Sequence, residues 1–169
     1  MNLAPGGKEP ARLFTLSPKS TFSKQLPTTG WHLNVEMPSA GSALGSPKIA
    51  LRKSAFALDY YARATWIDRA PAMVQTLLVE SFSNTGKIVS VTGQALAPRA
   101  DYALVTELRE FQAEYDGDGP PAVRVRINAK LVQLPRRTMV AATSAERSSA
   151  PRAPISIRSS TPSTRRWAG

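Results

Sequence analysis

The stretch 68–86 constrains what this chain can fold into more than any other. Ala70, Met73, Val74, Leu77, Leu78 and Phe82 recur at i, i+3, i+4, i+7, i+8 and i+12, which lays them along one stripe of an α-helix. Asp68 is placed to cap the first turn, Pro71 falls where a missing N–H costs nothing, and residues 84–86 supply the stop. The pattern predicts a helix over 69–84, a rod of about 22 Å with one apolar face. A face of that size needs a cover, so Leu77 and Leu78 are expected to lie buried against the strands on either side.

With 169 residues, 42% of them hydrophobic and 20% charged, the chain suffices for one domain with its own core. No apolar run approaches the ~18 residues of a membrane helix, and residues 1–10 are polar and Gly/Pro-rich, with no secretory signal as written. The absence of cysteine excludes disulfides and thiolate chemistry. A single histidine, His32, cannot build a His-rich metal site. The net charge of +10 invites a nucleic-acid partner, but its distribution argues otherwise. Residues 1–50 hold five basic and two acidic side chains, residues 51–135 ten and nine, and residues 136–169 seven and one. The excess therefore belongs mainly to the C-terminal tail, and the central region is nearly neutral.

In chain order, residues 1–11 read as a disordered lead-in. Residues 12–16 form a short strand, and 17–30 a loop with two prolines, a glycine and several hydroxyls. Trp31, Leu33, Val35 and Met37 alternate with His32, Asn34 and Glu36 in a half-buried strand, where His32 is a solvated polar-face residue. Further strands are expected at 48–52, through 56–67 into the helix, and at 87–92. Residues 102–115 are ambiguous: Leu104, Leu108 and Phe111 have helical spacing. The sequence Asp116-Gly-Asp-Gly119 resolves the ambiguity, because it is hairpin-turn chemistry ahead of an alternating strand, Val123, Val125, Ile127, Ala129 and Leu131. As the partner strand of that hairpin, 102–115 requires a bulge between Leu108 and Phe111.

Three constellations could carry chemistry. Asp116-Gly-Asp-Gly119 begins like a calcium loop but lacks the next oxygen ligand and the closing Glu, so it reads as a turn. Arg124, Arg126 and Lys130 form a basic stripe, but Glu107, Arg109 and Glu110 on the proposed partner strand favour cross-strand pairing over phosphate binding. Trp31, Tyr60, Tyr61 and Trp66 could stack bases, yet no glycine-aromatic RNA-binding motif surrounds them, and packing is the simpler role. No Ser/His/Asp set, paired-acid site, P-loop or dinucleotide fingerprint can be drawn. Catalytic, cofactor-binding and metal-ligating residues are therefore expected to be none, and an enzyme is disfavoured.

The order of segments resembles the ABC-type transport auxiliary lipoprotein family. The resemblance is carried by Arg12-Leu-Phe-Thr-Leu-Ser-Pro18, the Trp31 strand, Pro47-Lys-Ile-Ala-Leu-Arg52 and Leu58-Asp-Tyr-Tyr-Ala-Arg-Ala-Thr-Trp66. It continues through Ala72-Met-Val-Gln-Thr-Leu-Leu-Val-Glu-Ser-Phe82 and Ala100-Asp-Tyr-Ala-Leu-Val-Thr-Glu-Leu-Arg-Glu-Phe111. It implies a non-enzymatic accessory subunit of a lipid transport system of the mammalian-cell-entry or paraquat-inducible type in Gram-negative bacteria. Its site would be the periplasm, with an N-terminal lipid anchor in the outer membrane. Its partners would be a mammalian-cell-entry type substrate-binding protein and an ABC permease and ATPase, and self-association is left open. No cofactor, nucleic acid or defined set of contact residues is implied. The alternative from another class is a nucleic-acid-binding protein using the Arg-rich tail.

The expected fold is α+β: a mixed, largely antiparallel sheet with the 69–84 helix packed on one face, in a domain spanning 12–140. Two departures from the family stand out, a missing lipobox cysteine and a missing closing helix. The cysteine is expected to be encoded upstream of Met1. Residues 141–169, a basic tail rich in Ser, Arg, Pro and Thr, are expected to be disordered and the product of a reading-frame shift.

Overall fold

The computed structural model describes residues 10–22, 25–94, 99–117 and 119–149. In chain order the elements are β1 (Arg12–Phe14), β2 (Thr29–Val35), β3 (Ser39–Ala40), β4 (Lys48–Ser54) and β5 (Ala57–Trp66). They continue with α1 (Ala70–Asn84), β6 (Ile88–Thr92), β7 (Tyr102–Glu114), β8 (Ala122–Gln133) and β9 (Thr138–Ser149). The lead-in falls mostly outside the described residues.

β7 organises the sheet. Along one edge it pairs in succession with β2 at Tyr102–Leu104, β3 at Glu107 and Leu108, and β4 at Gln112–Glu114, all parallel. Along the other edge it pairs antiparallel with β8 over nearly its whole length. β5 joins β4 antiparallel, while β1 and β6 add parallel strands to β5 and β2. β9 closes the other side, antiparallel to β8. The hairpin expected from Asp116 and Gly117 is present, with Gly117 at φ 68, and the ladder shifts register between Leu108 and Glu110, where the bulge was required.

The expectation of a largely antiparallel sheet does not hold. Five of the eight strand pairings among the described residues are parallel, so the sheet is mixed. The reason is topological: antiparallel pairs here join strands adjacent in sequence through short turns, whereas β2, β3 and β4 reach β7 only after the chain has crossed through α1.

α1 begins one residue later than expected. Arg69 occupies the N-cap without a side-chain cap, and Asp68 instead accepts a hydrogen bond from the Arg69 N–H at 2.6 Å. Pro71 sits in the first turn, and Gly86 takes φ 61 at the stop, a conformation that favours glycine. The helix is tied to the sheet by Gln75, whose Nε2 donates to the carbonyls of Val35 and Gly93 at 2.9 Å each. Gly93 permits this approach, since a Cβ there would lie 3.3 Å from the side chains of Gln75 and Val79.

The core has two centres on the α1 side of the sheet. In one, Met73 and Val74 meet Ala50, Leu108 and Phe111; in the other, Leu33, Val35 and Leu104 meet Leu78 and Phe82. The stripe of α1 thus faces the core as expected, except at Leu77. Met73 and Val74 are buried, Leu78 is partly buried between both centres, and Leu77 is only half-buried, beside Leu16 and Ile67.

A further correction concerns the tail. Residues 141–149 belong to β9, in register with β8 as far as Ser149 opposite Val123. Every β9 residue is exposed, so the strand is held by its backbone ladder and needs no apolar period, the feature whose absence suggested disorder. Residues 150–169 lie outside the described residues.

The different burial of Met73 and Leu77 separates two substitutions. Met73→Ala is expected to cost ~2–4 kcal/mol of unfolding free energy and Leu77→Ala ~1–2 kcal/mol, because Leu77 is only partly buried and stands outside both core centres. Urea titration of both variants measures this, and a larger loss for Leu77→Ala would contradict the packing described.

Candidate functional site

The polar constellations expected from sequence resolve into structure. On the face away from α1, charges alternate in sign from strand to strand. Arg52 of β4 lies 3.7 Å from Glu114 of β7, Glu114 is 2.8 Å from Arg124 of β8, and Arg124 is 2.8 Å from Glu146 of β9. A second row runs from Arg52 through Glu110 at 3.9 Å to Arg126 at 3.3 Å, and on to Glu146 at 3.1 Å. The Arg126 Nε and Glu110 Oε2 atoms of this row attract as charges but miss hydrogen-bond geometry. The carboxylate of Glu114, by hydrogen bond and by charge, holds the Arg124 guanidinium protonated more firmly still.

Cross-strand pairing is therefore what the Arg124 and Arg126 stripe does. Glu107 faces Asn128 and Arg109 instead, and Lys130 stands opposite Val105. Arg52, Glu114 and Glu146 complete the rows. Sequence reading did not single them out, since only the strand registers bring them together.

The aromatic residues do not gather into one platform. Trp31 packs tilted against Tyr102 with ring centroids 4.5 Å apart, and Trp66 against Phe111 at 5.3 Å. The Tyr60 hydroxyl donates to the Ala43 carbonyl at 3.0 Å, and the Tyr61 and Tyr115 hydroxyls share a hydrogen bond of 3.1 Å. Packing is their role. His32 lies exposed on β2, its N–H donating to Asp101 Oδ2 at 2.8 Å. Asp118 of the Asp-Gly-Asp-Gly turn lies outside the described residues. Among the described residues no three acidic or histidine side chains gather to hold a metal ion.

What the surface does offer is apolar space on both flanks of α1. On one flank, Phe22, Leu26, Trp31, Leu78, Phe82 and Ile88 enclose a trough of about 360 Å³ with Lys87 at its margin. On the other, Leu16, Ile49, Trp66, Phe111, Val123 and Val125 line a trough of about 250 Å³. Phe22 and Leu26 lie within the loop expected over 17–30. Their spacing of four was a signal too short to interpret without knowing that α1 passes beneath.

Among the described residues, one α-helix on a mixed nine-stranded sheet defines a small α+β protein with apolar troughs on its surface. The family model of the ABC-type transport auxiliary lipoprotein component matches residues 14–154, and the chain belongs to that family. Among solved structures, protein XCC0632 from Xanthomonas campestris is 30% identical, with a TM-score of 0.76 over 82% of this chain and 77% of its own. An uncharacterised protein shares the fold at 17% identity and a TM-score of 0.63, over 83% of this chain and 80% of its own. The PelC dodecamer from Paraburkholderia phytofirmans is a slighter likeness, 14% identical with a TM-score of 0.47 over 79% of this chain and 77% of its own. No curated protein matches the chain. The family is one of transport auxiliary components and is not a known enzyme family.

The tyrosine pair gives a pH prediction. Burial, then the hydrogen bond and proximity of Tyr115, push Tyr61 up to about 12 from 10.0. The raised value favours the neutral phenol in the fold, so this contribution is complete below about pH 10 and drains away as pH climbs toward 12. In a tyrosinate absorbance titration, one of the four tyrosines should ionise well after the others, and Tyr115→Phe should bring it earlier. Simultaneous ionisation of all four near pH 10 would contradict the pairing.

Proposed function

We propose that this protein is a non-enzymatic accessory subunit of an ABC-type lipid transport system, acting in the periplasm of a Gram-negative bacterium from an outer-membrane lipid anchor. Its partners in this reading are a mammalian-cell-entry type substrate-binding protein and the permease–ATPase complex. The observation that carries the reading is family membership across residues 14–154. The character of the surface supports it. The charged residues of the sheet, Arg52, Arg124 and Arg126, are engaged by Glu110, Glu114 and Glu146, while the troughs beside α1 are apolar. A subunit that works by contact with proteins or lipid needs the second kind of surface; a phosphate-binding protein needs its arginines free. Arg137 is likewise engaged, donating to both oxygens of Glu36 at 3.0 and 3.4 Å.

The test is fractionation and cross-linking of the protein expressed from its own gene. It should sediment with the envelope and cross-link to the permease complex. Recovery from the cytosol with tight DNA binding that weakens steeply between low and moderate salt would support the nucleic-acid alternative instead.

A further inference from the structure

The trough between α1 and the segment that leads into β2 is held open by hydrogen bonds at two places. The Lys19 N–H donates to Ser81 Oγ at 3.0 Å, and the Lys19 carbonyl accepts from Asn84 Nδ2 at 3.1 Å, both partners lying on α1. Farther along, the Thr29 N–H and hydroxyl donate to the Lys87 carbonyl at 2.7 and 3.3 Å. These pins fix how far the segment can settle onto α1. Phe22 and Leu26 line one side of the space, and Leu78 and Phe82 of α1 the other. Its volume of about 360 Å³ falls within the usual range of small-molecule sites, roughly 300–1,000 Å³. The walls are almost wholly apolar, yet Trp31 and Leu26 keep 37% and 38% of their surface in water.

The trough adjoins a more polar hollow of about 490 Å³, which shares Phe22, Leu26, Thr85 and Lys87 with it and adds Gln25. A second ammonium stands close by, with Lys19 Nζ 5.6 Å from the centre of the Phe22 ring. Among the described residues that line the two spaces there is no carboxylate to answer these cations. On the reverse face of the sheet, by contrast, Arg52, Arg124 and Arg126 each meet a glutamate. The trough on the other flank of α1 has no charged residue in its described lining. An apolar space joined to an unanswered cationic margin is therefore particular to the Phe22 side.

We propose that trough and hollow together bind a single-chain anionic amphiphile. The acyl chain lies among Leu26, Trp31 and Phe82, and the carboxylate or phosphate head meets Lys87, with Lys19 beside it. The division of the walls selects this class of ligand. A wholly apolar molecule would leave the Lys87 ammonium unanswered, and a bare anion would leave Trp31 and Leu26 in water. The chemistry of the site is read from its walls; that the amphiphile is lipid handled by the transporter rests on the role proposed above.

Calorimetric titration of the full chain tests it, with octanoate, decanoate and dodecanoate, the matching alkyl phosphates, decanol and inorganic phosphate, each below its micelle concentration. The acids or the alkyl phosphates should bind one to one, and whichever series is tighter identifies the head group. Each added methylene should tighten binding about fourfold until the chain outgrows the trough and the affinity levels off. Lys87→Glu should weaken the anionic probes roughly fivefold and leave decanol unchanged. Leu26→Glu should abolish binding, whereas Val123→Glu, on the other flank, should not alter it. Affinity independent of chain length would overturn the proposal, as would decanol or inorganic phosphate binding as tightly as the amphiphiles. So would a concentration-dependent dimer that Leu26→Glu dissociates, since a second copy would then occupy the trough. Absence of probe binding, in a protein that still sediments with the envelope and cross-links to the permease complex, would remove the site and leave the role. Binding by a protein recovered from the cytosol would keep the site and remove the role.

Discussion

The ladder between β7 and β8 is the interaction on which the rest of the molecule depends. Its strands pair from Tyr102 with Gln133 to Glu114 with Ala122, through a single bulge. Because side chains alternate across a strand, this one register decides both faces at once. It turns Leu108 (1% exposed) and Phe111 toward α1, and it presents Glu110 and Glu114 to Arg126 and Arg124 on the reverse. Slipping by one residue would bury the charges and expose the core. The bulge serves the same end: without the extra residue between Leu108 and Glu110, Phe111 and Leu108 could not share a face.

On its other edge β7 receives three short parallel strands end to end, a pairing that no local sequence signal announces. Hairpins are written in turn residues such as Asp116 and Gly117, which act within a few positions of the strands they join. Parallel neighbours such as Val35 and Leu104 are brought together only by the packing of the whole, here through α1 and its Gln75 clamp onto Val35 and Gly93. Most strands were therefore legible one by one, β9 excepted, and the predominance of parallel pairings in the mixed sheet was not. The same limit applies to the helix. Periodicity located the stripe, whose Met73 and Val74 meet β4 and β7 and whose Leu78 and Phe82 meet β2 and β6, but it did not show that Leu77 would miss both centres.

The surfaces divide in the same way. Pairing of Arg124 and Arg126 with acidic neighbours was readable because β7 and β8 form a sequence-local hairpin. Arg52 and Glu146 entered the rows from strands whose register could not be foreseen. The troughs were the least legible. Leu16, Ile49, Trp66, Phe111 and Val123 come from five separate stretches, none of which looks exceptional alone.

β9 has a consequence of its own. It is a twelve-residue border strand with no side chain buried, secured chiefly by one neighbour's backbone, with side-chain contacts that include those of Glu146 with Arg124 and Arg126 and the hydrogen bond Ser144 donates to Asn128. Its cost of detachment is therefore set almost wholly by hydrogen bonds that water can replace, while β7 carries the core and must open last. The sheet is graded in strength from its middle to this margin. When β9 lifts, it uncovers the outer edge of β8, a full-length row of amides and carbonyls spaced to accept any extended chain nearby. Tension applied at the Ser149 end of β9 is transmitted first to the part of the sheet least able to resist it.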